Sequence, residues 1–470
     1  MYEFSNFIKD NATKKNNIPV TTSMMQHPTG FMYMDYGAGT YLNVYDDDEV
    51  PLYEYHNVGI TSGSVNVLIS KSQGGKTTLA IEMAVAIIEP FINDYLYHKV
   101  YQDILTSKKK KNNYFDYDGS PFIQILDTEK TLPIDYAKKL ARYTNKLTSR
   151  HLMINPITTD RELMQCLASH VKYKVDHMNL IPMPMPDIFG KPIMTFPPTV
   201  IIIDSMSQLL LEDCDDPEDI NKAKGGIISI YENNRKNTSG AQRAKIISAL
   251  YSQLVNYAKR YNIIIFSINH INKMPAINGI PVKQYRGLKG GETIGGGERA
   301  IYLAANILRL DVIKAVGTAK STFVNLGEGV TGHIAIASWI KSKSNSKANT
   351  CQLVYTNESA YDSLLSNLWN EKEKEELSKS GNYYYIKGHE DHKFTFKNYK
   401  DVFADHPELF SAYYDELRNN CSKMLDNPEK AAEADRKLMN KIRDDIHSDD
   451  DYSGSDIKDM DDMFSSLINS

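Results

Sequence analysis

The nine residues Ser70-Lys-Ser-Gln-Gly-Gly-Lys-Thr-Thr78 combine two adjacent glycines, a lysine and hydroxyls between an apolar run, Val65 to Ile69, and an Ala-rich run, Leu79 to Ile88. This combination suits phosphate chemistry. Gly74 and Gly75 let backbone N–H groups curl around a β- and γ-phosphate, Lys76 adds a point charge, and the Thr77 hydroxyl can ligate Mg²⁺. The N-terminus of the helix expected to follow adds its positive end to the same anion. Lys71, Ser72, Gln73 and Thr78 complete the loop, and Ser70 stands where the usual pattern has glycine.

A phosphate loop that works on ATP also needs carboxylates. The run Val200-Ile-Ile-Ile203 ends in Asp204-Ser205, which makes Asp204 the metal-side partner of Thr77. Phe122-Ile-Gln-Ile-Leu126 ends in Asp127-Thr-Glu129; Glu129 is the expected base that polarises an attacking water, with Asp127 its competitor. Ile263-Ile-Ile-Phe-Ser-Ile268 ends in Asn269-His270, expected at the edge of the same site, where His270 either senses the γ-phosphate or serves a local hydrogen bond.

These four apolar runs must position the site. Each ends in a polar turn and is separated from the next by helical stretches, a pattern that predicts an α/β fold with a mostly parallel twisted sheet flanked by helices. Residues 1–55 read as an N-terminal arm and the loop leading into the core, 56–356 as the core, 357–425 as a small α+β C-terminal domain and 426–470 as a helical linker with a disordered acidic tail. Insertions at 97–121, with Lys108 to Lys111 and Asn112-Asn113, and at 181–198 break the rhythm. The prolines of the second demand extended chain. A helix is predicted from Pro407 to Leu417, and no internal repeat is present.

Composition removes several classes. With 41% apolar and 24% charged residues the profile is globular, and four cysteines without a C-x-x-C pair exclude a disulfide scaffold and fit a reducing cytosol. No stretch approaches the roughly 20 apolar residues of a membrane span. The start, Met1-Tyr-Glu-Phe-Ser-Asn, lacks the features of a signal peptide, so neither membrane insertion nor secretion is expected. Of the net charge of −5, the segment Asp444 to Ser470 carries nine Asp against one Lys, which leaves the remainder slightly positive. A polyanion would therefore be gripped by a local basic patch.

In order along the chain, Ser70 to Thr78, Ile125-Leu-Asp-Thr-Glu-Lys-Thr-Leu-Pro-Ile-Asp-Tyr-Ala-Lys-Lys-Leu140, Val200 to Ser205 and Phe266-Ser-Ile-Asn-His270 resemble the core motifs of the RecA recombinase family. The bacteriophage UvsX-type branch is most similar, having Asn-His where bacterial RecA has Asn-Gln. The resemblance covers roughly Gly59 to Tyr355. It implies a RecA-like P-loop ATPase core, ATP and Mg²⁺ as ligands, and a recombinase that forms filaments on single-stranded DNA. Such a protein promotes homologous pairing and strand exchange with duplex DNA in recombination, repair and recombination-dependent replication, here in the cytoplasm of an infected bacterial host. By the same resemblance Glu129 falls on the catalytic glutamate, Lys76 and Asp204 on the Walker lysine and aspartate, and His270 on the residue relaying γ-phosphate state to the DNA loop. Tyr136 falls on the aromatic that stacks the adenine. Lys341 and Lys343, in Ile340-Lys-Ser-Lys-Ser-Asn-Ser-Lys347, fall where lysines of a neighbouring protomer touch nucleotide, or else form a solvated turn.

The stretch Asn272 to Gly297 holds seven glycines with Lys273, Lys283, Arg286 and Lys289, and Arg299 follows; it matches the family's second DNA loop in place. Basic groups neutralise phosphates and glycines such as Gly290 and Gly291 admit the strand, while Glu292 and Glu298 dilute the charge. The first DNA loop is expected near Arg235 to Gly240 and Arg243, behind the long acidic departure Glu212-Asp-Cys-Asp-Asp216. The tail either competes with DNA for these loops, offers Phe464 and Leu467 to single-strand-binding or mediator proteins, or only solubilises the chain. Tyr2, Phe4, Phe7 and Ile8 would dock the arm on the next subunit. Two other readings share the fold: a ring-type replicative helicase, disfavoured because fewer than seventy residues precede the phosphate loop, and a switch ATPase without a DNA role, disfavoured by the basic glycine-rich stretch.

Overall fold

Runs such as Val-Ile-Ile-Ile, with no polar alternation, are stable only in strands covered on both faces. In the computed structural model they are strands of one ten-stranded sheet. The structure describes residues 25–45, 51–71, 74–93, 122–140, 151–177, 180–186, 192–211, 240–273, 288–289, 291–294, 297–316, 330–347 and 349–425. The strands are β1 (Val65–Ser70), β2 (Phe122–Asp127), β3 (Leu152–Pro156), β4 (Thr199–Asp204), β5 (Ile263–Lys273), β6 (Glu292–Ile294), β7 (Asn306–Val316), β8 (Gly332–Ser342), β9 (Thr350–Thr356) and β10 (Ala360–Tyr361). Their order across the sheet is β3-β2-β4-β5-β1-β7-β8-β9-β10, with β6 pairing β5 off that path. From β3 to β7 the neighbours are parallel; β8, β9 and β10 extend the sheet antiparallel.

Helices cover both faces. They are α1 (Met32–Gly37), α2 (Lys76–Asn93), α3 (Ile134–Leu140), α4 (Asp160–His177), α5 (Gly240–Tyr261), α6 (Gly297–Leu303), α7 (Ser363–Glu373), α8 (Tyr399–Asp405) and α9 (Glu408–Ser422). Alternation along each strand divides the core: Val200 and Ile202 of β4 pack in one apolar layer with Leu79, Met83 and Ile87 of α2, while Ile201 and Ile203 pack in the other with Tyr251 and Leu254 of α5. The two prolines-rich stretches of the 181–198 insertion form an antiparallel pair, Ile181–Pro186 with Pro192–Thr195, extended as their prolines require.

The segment read as an arm and lead-in loop enters the core from residue 25 onward. Tyr33, Met34 and Tyr36 of α1 are buried, and Asp35 between them is fully enclosed. Its carboxylate accepts hydrogen bonds from the Thr29 amide (2.8 Å) and hydroxyl (2.7 Å) and the Gly30 amide (3.1 Å). Polar residues that satisfy one another locally hide this apolar contribution from composition. An antiparallel hairpin, Thr40–Tyr45 with Pro51–Asn57, follows.

At the other end, the predicted helix from Pro407 forms as α9, with Pro407 as its N-cap. Phe394, Phe403, Tyr413 and Trp369 share an apolar layer with Leu353 and Val354 of β9. Asn367 and Asn370 stitch α7 to its neighbours, accepting from the amides of Met32 (3.0 Å) and Gln352 (2.9 Å). Residues 1–425 form one unit and 426–470 a second; the second, with the acidic tail, Phe464 and Leu467, lies outside the described residues, as do Tyr2, Phe4, Phe7 and Ile8. No helix among the described residues is long and apolar enough to cross a membrane.

Candidate phosphate-binding site

Parallel register brings the predicted residues to one edge of the sheet. Asp127 pairs with Asp204 across β2 and β4, and His270 of β5 pairs with Ser70 of β1, so the polar ends of four strands lie together. Strand alternation separates Asn269 from His270. Asn269, expected at the edge of the site, is instead buried on the α5 side, where its Nδ2 donates to Ser267 Oγ (3.2 Å) and Tyr251 Oη (3.4 Å). His270, on the opposite face of the strand, meets Glu129.

The loop passes into α2 at Lys76. The Lys76 ammonium donates to Ser70 Oγ (2.9 Å) and to the Lys71 carbonyl (3.1 Å). Ser70, in place of the usual glycine, thus lines the inside of the loop: a Cβ on Gly74 would lie 2.2 Å from its hydroxyl oxygen. Gly75 has φ +75°, and a Cβ there would lie 2.4 Å from the hydroxyl oxygen of Tyr361. Tyr361, buried on β10, donates to the Gly74 carbonyl at 3.4 Å across 287 residues of sequence. No local pattern marks it. Tyr355 and His333 join it, the latter two rings stacked at 4.7 Å. Tyr136 reaches the start of α2, its hydroxyl 3.1 Å from Thr78 Oγ1. Ser72 and Gln73 lie outside the described residues.

Thr77 Oγ1 donates to Asp204 Oδ2 at 2.5 Å, so the two groups expected to hold a metal are in direct contact. The two acids of β2 divide their roles. Both oxygens of Asp127 are engaged, by the amides of Lys130 (2.8 Å) and Leu132 (3.0 Å), in a turn where Lys130 has φ +57°. Glu129 stands at the mouth of the site, with Oε1 3.1 Å from His270 Nε2 and accepting from Ser205 Oγ at 3.0 Å. Thr128 clamps this turn to the end of β4: its hydroxyl accepts from the Ser205 amide (2.7 Å) and donates to the Ser205 carbonyl (2.9 Å). Ser205 and Thr128 are supports that the motif reading passed over, although both adjoin residues it named.

Burial lowers the Lys76 ammonium below the ordinary lysine range, and Asp204 and Glu129 oppose that shift. Burial likewise raises Asp204; the Thr77 hydroxyl opposes this, and the charges of Glu129 and Asp127 add to it. Two carboxylates acting on one lysine, with the Asp127 charge added at Asp204, make a site that a bare polyphosphate would find repulsive and a divalent cation would neutralise. A hydroxyl and a carboxylate are hard oxygen donors, which suits Mg²⁺, and the tightly wound glycines suit a phosphate cradle.

The remaining predicted residues lie elsewhere. Lys341 pairs with Ile307 and the Lys343 amide donates to the Ala305 carbonyl (3.1 Å), at the end of the sheet opposite Ser70, which pairs with Leu310. The Lys341 ammonium donates to the carbonyls of Ile301 and Tyr302, both at 2.7 Å, and burial with help from Lys343 pushes it down to about 8. Lys289 is exposed, Gly291 has φ +77°, and Arg299 donates through Nε to Ser248 Oγ at 2.8 Å. Arg243 lies on α5 and Lys273 ends β5; Lys283, Arg286 and Gly290 lie outside the described residues. Glu292 corrects the sequence reading. It is a buried residue of β6, neutralised by Arg309, and adds no open charge to the basic stretch. The sequence matches no known family model, and no curated protein matches it either.

Proposed function

We propose that the chain is an ATP-dependent recombinase of the RecA type, a DNA-dependent ATPase that polymerises on single-stranded DNA and exchanges strands with duplex DNA. The observation that carries this reading is the Glu129–His270 contact beside the phosphate loop, because β5 continues from His270 directly to Lys273, the first basic residue of the glycine-rich stretch.

In this reading Gly74, Gly75 and Lys76 hold the β- and γ-phosphates of ATP, and Thr77 and Asp204 hold Mg²⁺. A bound Mg²⁺ supplies charge neutralisation at the phosphates. Glu129 accepts a proton from the water whose oxygen attacks the γ-phosphorus, releasing ADP and phosphate. His270, bonded to Glu129, senses whether the γ-phosphate is present and passes that state along β5 to the basic stretch, where Lys273, Lys283, Arg286, Lys289, Gly290, Gly291 and Arg299 contact DNA together with Arg243. Tyr136 takes the adenine. Lys341 and Lys343 serve the nucleotide of the adjacent protomer. Their position at the sheet end opposite the phosphate loop supports a head-to-tail, open-ended assembly. The acidic tail recruits or competes, and the setting is the cytoplasm of an infected bacterial cell.

Electron microscopy of the protein with long single-stranded DNA and a slowly hydrolysed ATP analogue tests the reading. Open helical filaments, lost in Lys76→Ala, are expected. Closed rings would point to a replicative helicase, and no DNA-bound assembly to a switch ATPase; either outcome overturns the proposal.

A further inference from the structure

Far along the chain from the phosphate loop, three side chains with metal-binding chemistry converge on the C-terminal helical segment. His392 ends a turn in which the His389 amide donates to the Ile386 carbonyl (2.9 Å) and the His392 amide to the His389 carbonyl (3.1 Å). His406 caps α8, its amide donating to the Val402 carbonyl, and Glu408 opens α9. The two imidazole rings face one another with centroids 3.8 Å apart. Glu408 Oε1 lies 3.4 Å from His406 Nδ1 and 3.9 Å from His392 Nε2. One donor atom from each of the three residues lies within 4.8 Å of the others.

A tetrahedral ion with bonds of about 2.0–2.1 Å sets its ligands about 3.3 Å apart. The Glu408–His406 edge, at 3.4 Å, already has that length, and the Glu408–His392 edge, at 3.9 Å, is about half an ångström longer. The backbone beneath is fixed. Phe394 and Phe403 are fully buried with rings 5.5 Å apart, and Leu409 and Tyr413 anchor the first turns of α9. Rigid support of this kind is what a site needs to hold its ligands in register. Two imidazoles and one carboxylate form a mixed nitrogen–oxygen set suited to zinc and its neighbours, and not to Mg²⁺ or Ca²⁺, which take oxygen.

We propose that His392, His406 and Glu408 bind one divalent transition-metal ion of the zinc class, with the fourth position open to water. The ion would staple the turn before Phe394 to the α8–α9 corner. The proposal is independent of the nucleotide reading, since no residue is shared.

Titrating Zn²⁺ into the full chain after chelator treatment, followed calorimetrically and with Co²⁺ absorption as a coordination readout, tests it. One equivalent should bind with a four-coordinate cobalt spectrum. The His392→Ala/His406→Ala variant should weaken zinc affinity by about 100-fold or more, and Glu408→Gln should weaken it as well. All three side chains are partly exposed, so the metal-free melting midpoints of these variants should match that of the native chain. Cys166 on α4 is a half-buried free thiol that donates to Gln124 Oε1, and Cys166→Ala, which removes that alternative soft ligand, should bind as the native chain does. Absence of saturable binding, or equal affinity in the double-histidine variant, would mean the cluster is only an ion pair and would overturn the assignment; loss of binding in Cys166→Ala would place the metal elsewhere and do the same.

Discussion

Arg309 and Glu292 form a two-pronged ion pair inside the protein, Nη1 to Oε2 at 2.6 Å and Nη2 to Oε1 at 3.1 Å, with each side chain no more than 5% exposed. Arg309 also reaches Asp311, through Nε at 2.8 Å. The Arg309 hydrogen bonds hold Glu292 below its ordinary range. Arg309 pairs with Ile69, the residue before Ser70, and Glu292 pairs with Lys273 at the end of β5. The return of the basic glycine-rich stretch is thereby tied to β7, which pairs with β1.

Removing one partner leaves the other buried and uncompensated. Arg309→Met is expected to lower stability by about 3–5 kcal/mol, and Arg309→Met combined with Glu292→Leu by clearly less. Urea denaturation of the two single variants and the double variant measures this. Additive losses would show that the two groups do not depend on each other.

Glu129 and Asp127 should respond differently to loss of charge. Glu129→Gln is expected to reduce ATP hydrolysis about 10²–10⁴-fold while leaving nucleotide affinity within about threefold. Asp127→Asn is expected to cost about 1–3 kcal/mol of stability, because two partly buried amides lose a carboxylate acceptor. Steady-state hydrolysis, fluorescent-nucleotide binding and thermal melting separate the two effects.

Gly75 is confined from two directions, by its φ of +75° and by the Tyr361 hydroxyl. Gly75→Ala should therefore impair nucleotide binding and destabilise by about 1–3 kcal/mol. Adding Tyr361→Phe removes the nearest atom and should recover part of the loss, leaving the backbone strain. Melting curves and nucleotide titration of both variants report the recovery.

His27 is buried beside Phe91, and burial depresses it to about 3 from an ordinary 6.5. The folded state thus holds a neutral ring while the unfolded chain binds a proton below pH 6.5. Between pH 6.5 and 3 the unfolded state carries the extra proton, so stability falls as pH falls, by up to about 1.4 kcal/mol per unit. His27→Leu should flatten that part of the profile relative to the native chain. Chemical denaturation across the window compares the slopes.

Local features of the sequence determined the candidate phosphate loop, the four strand runs and the acids at their ends. The reason is that strand propensity, glycine freedom and the order hydrophobic-then-polar act over a few neighbouring residues. That β1 lies between β5 and β7 depends on pairing across 200 and 240 residues, and the contacts of Glu129 with His270 and of Thr77 with Asp204 span 141 and 127. Such contacts follow from sheet order, which no local pattern encodes. Asn269 turned away from the site because successive strand residues face opposite layers, and the register, decided by burial on both faces, chose His270. Glu292 read as a surface charge until the fold brought Arg309 to it, and Asp35 made a polar segment part of the core by accepting three local hydrogen bonds. Tyr361 and the pair His392–His406 became neighbours of their partners only through tertiary packing, since the apolar layers beneath them, and not their own side chains, set where they stand.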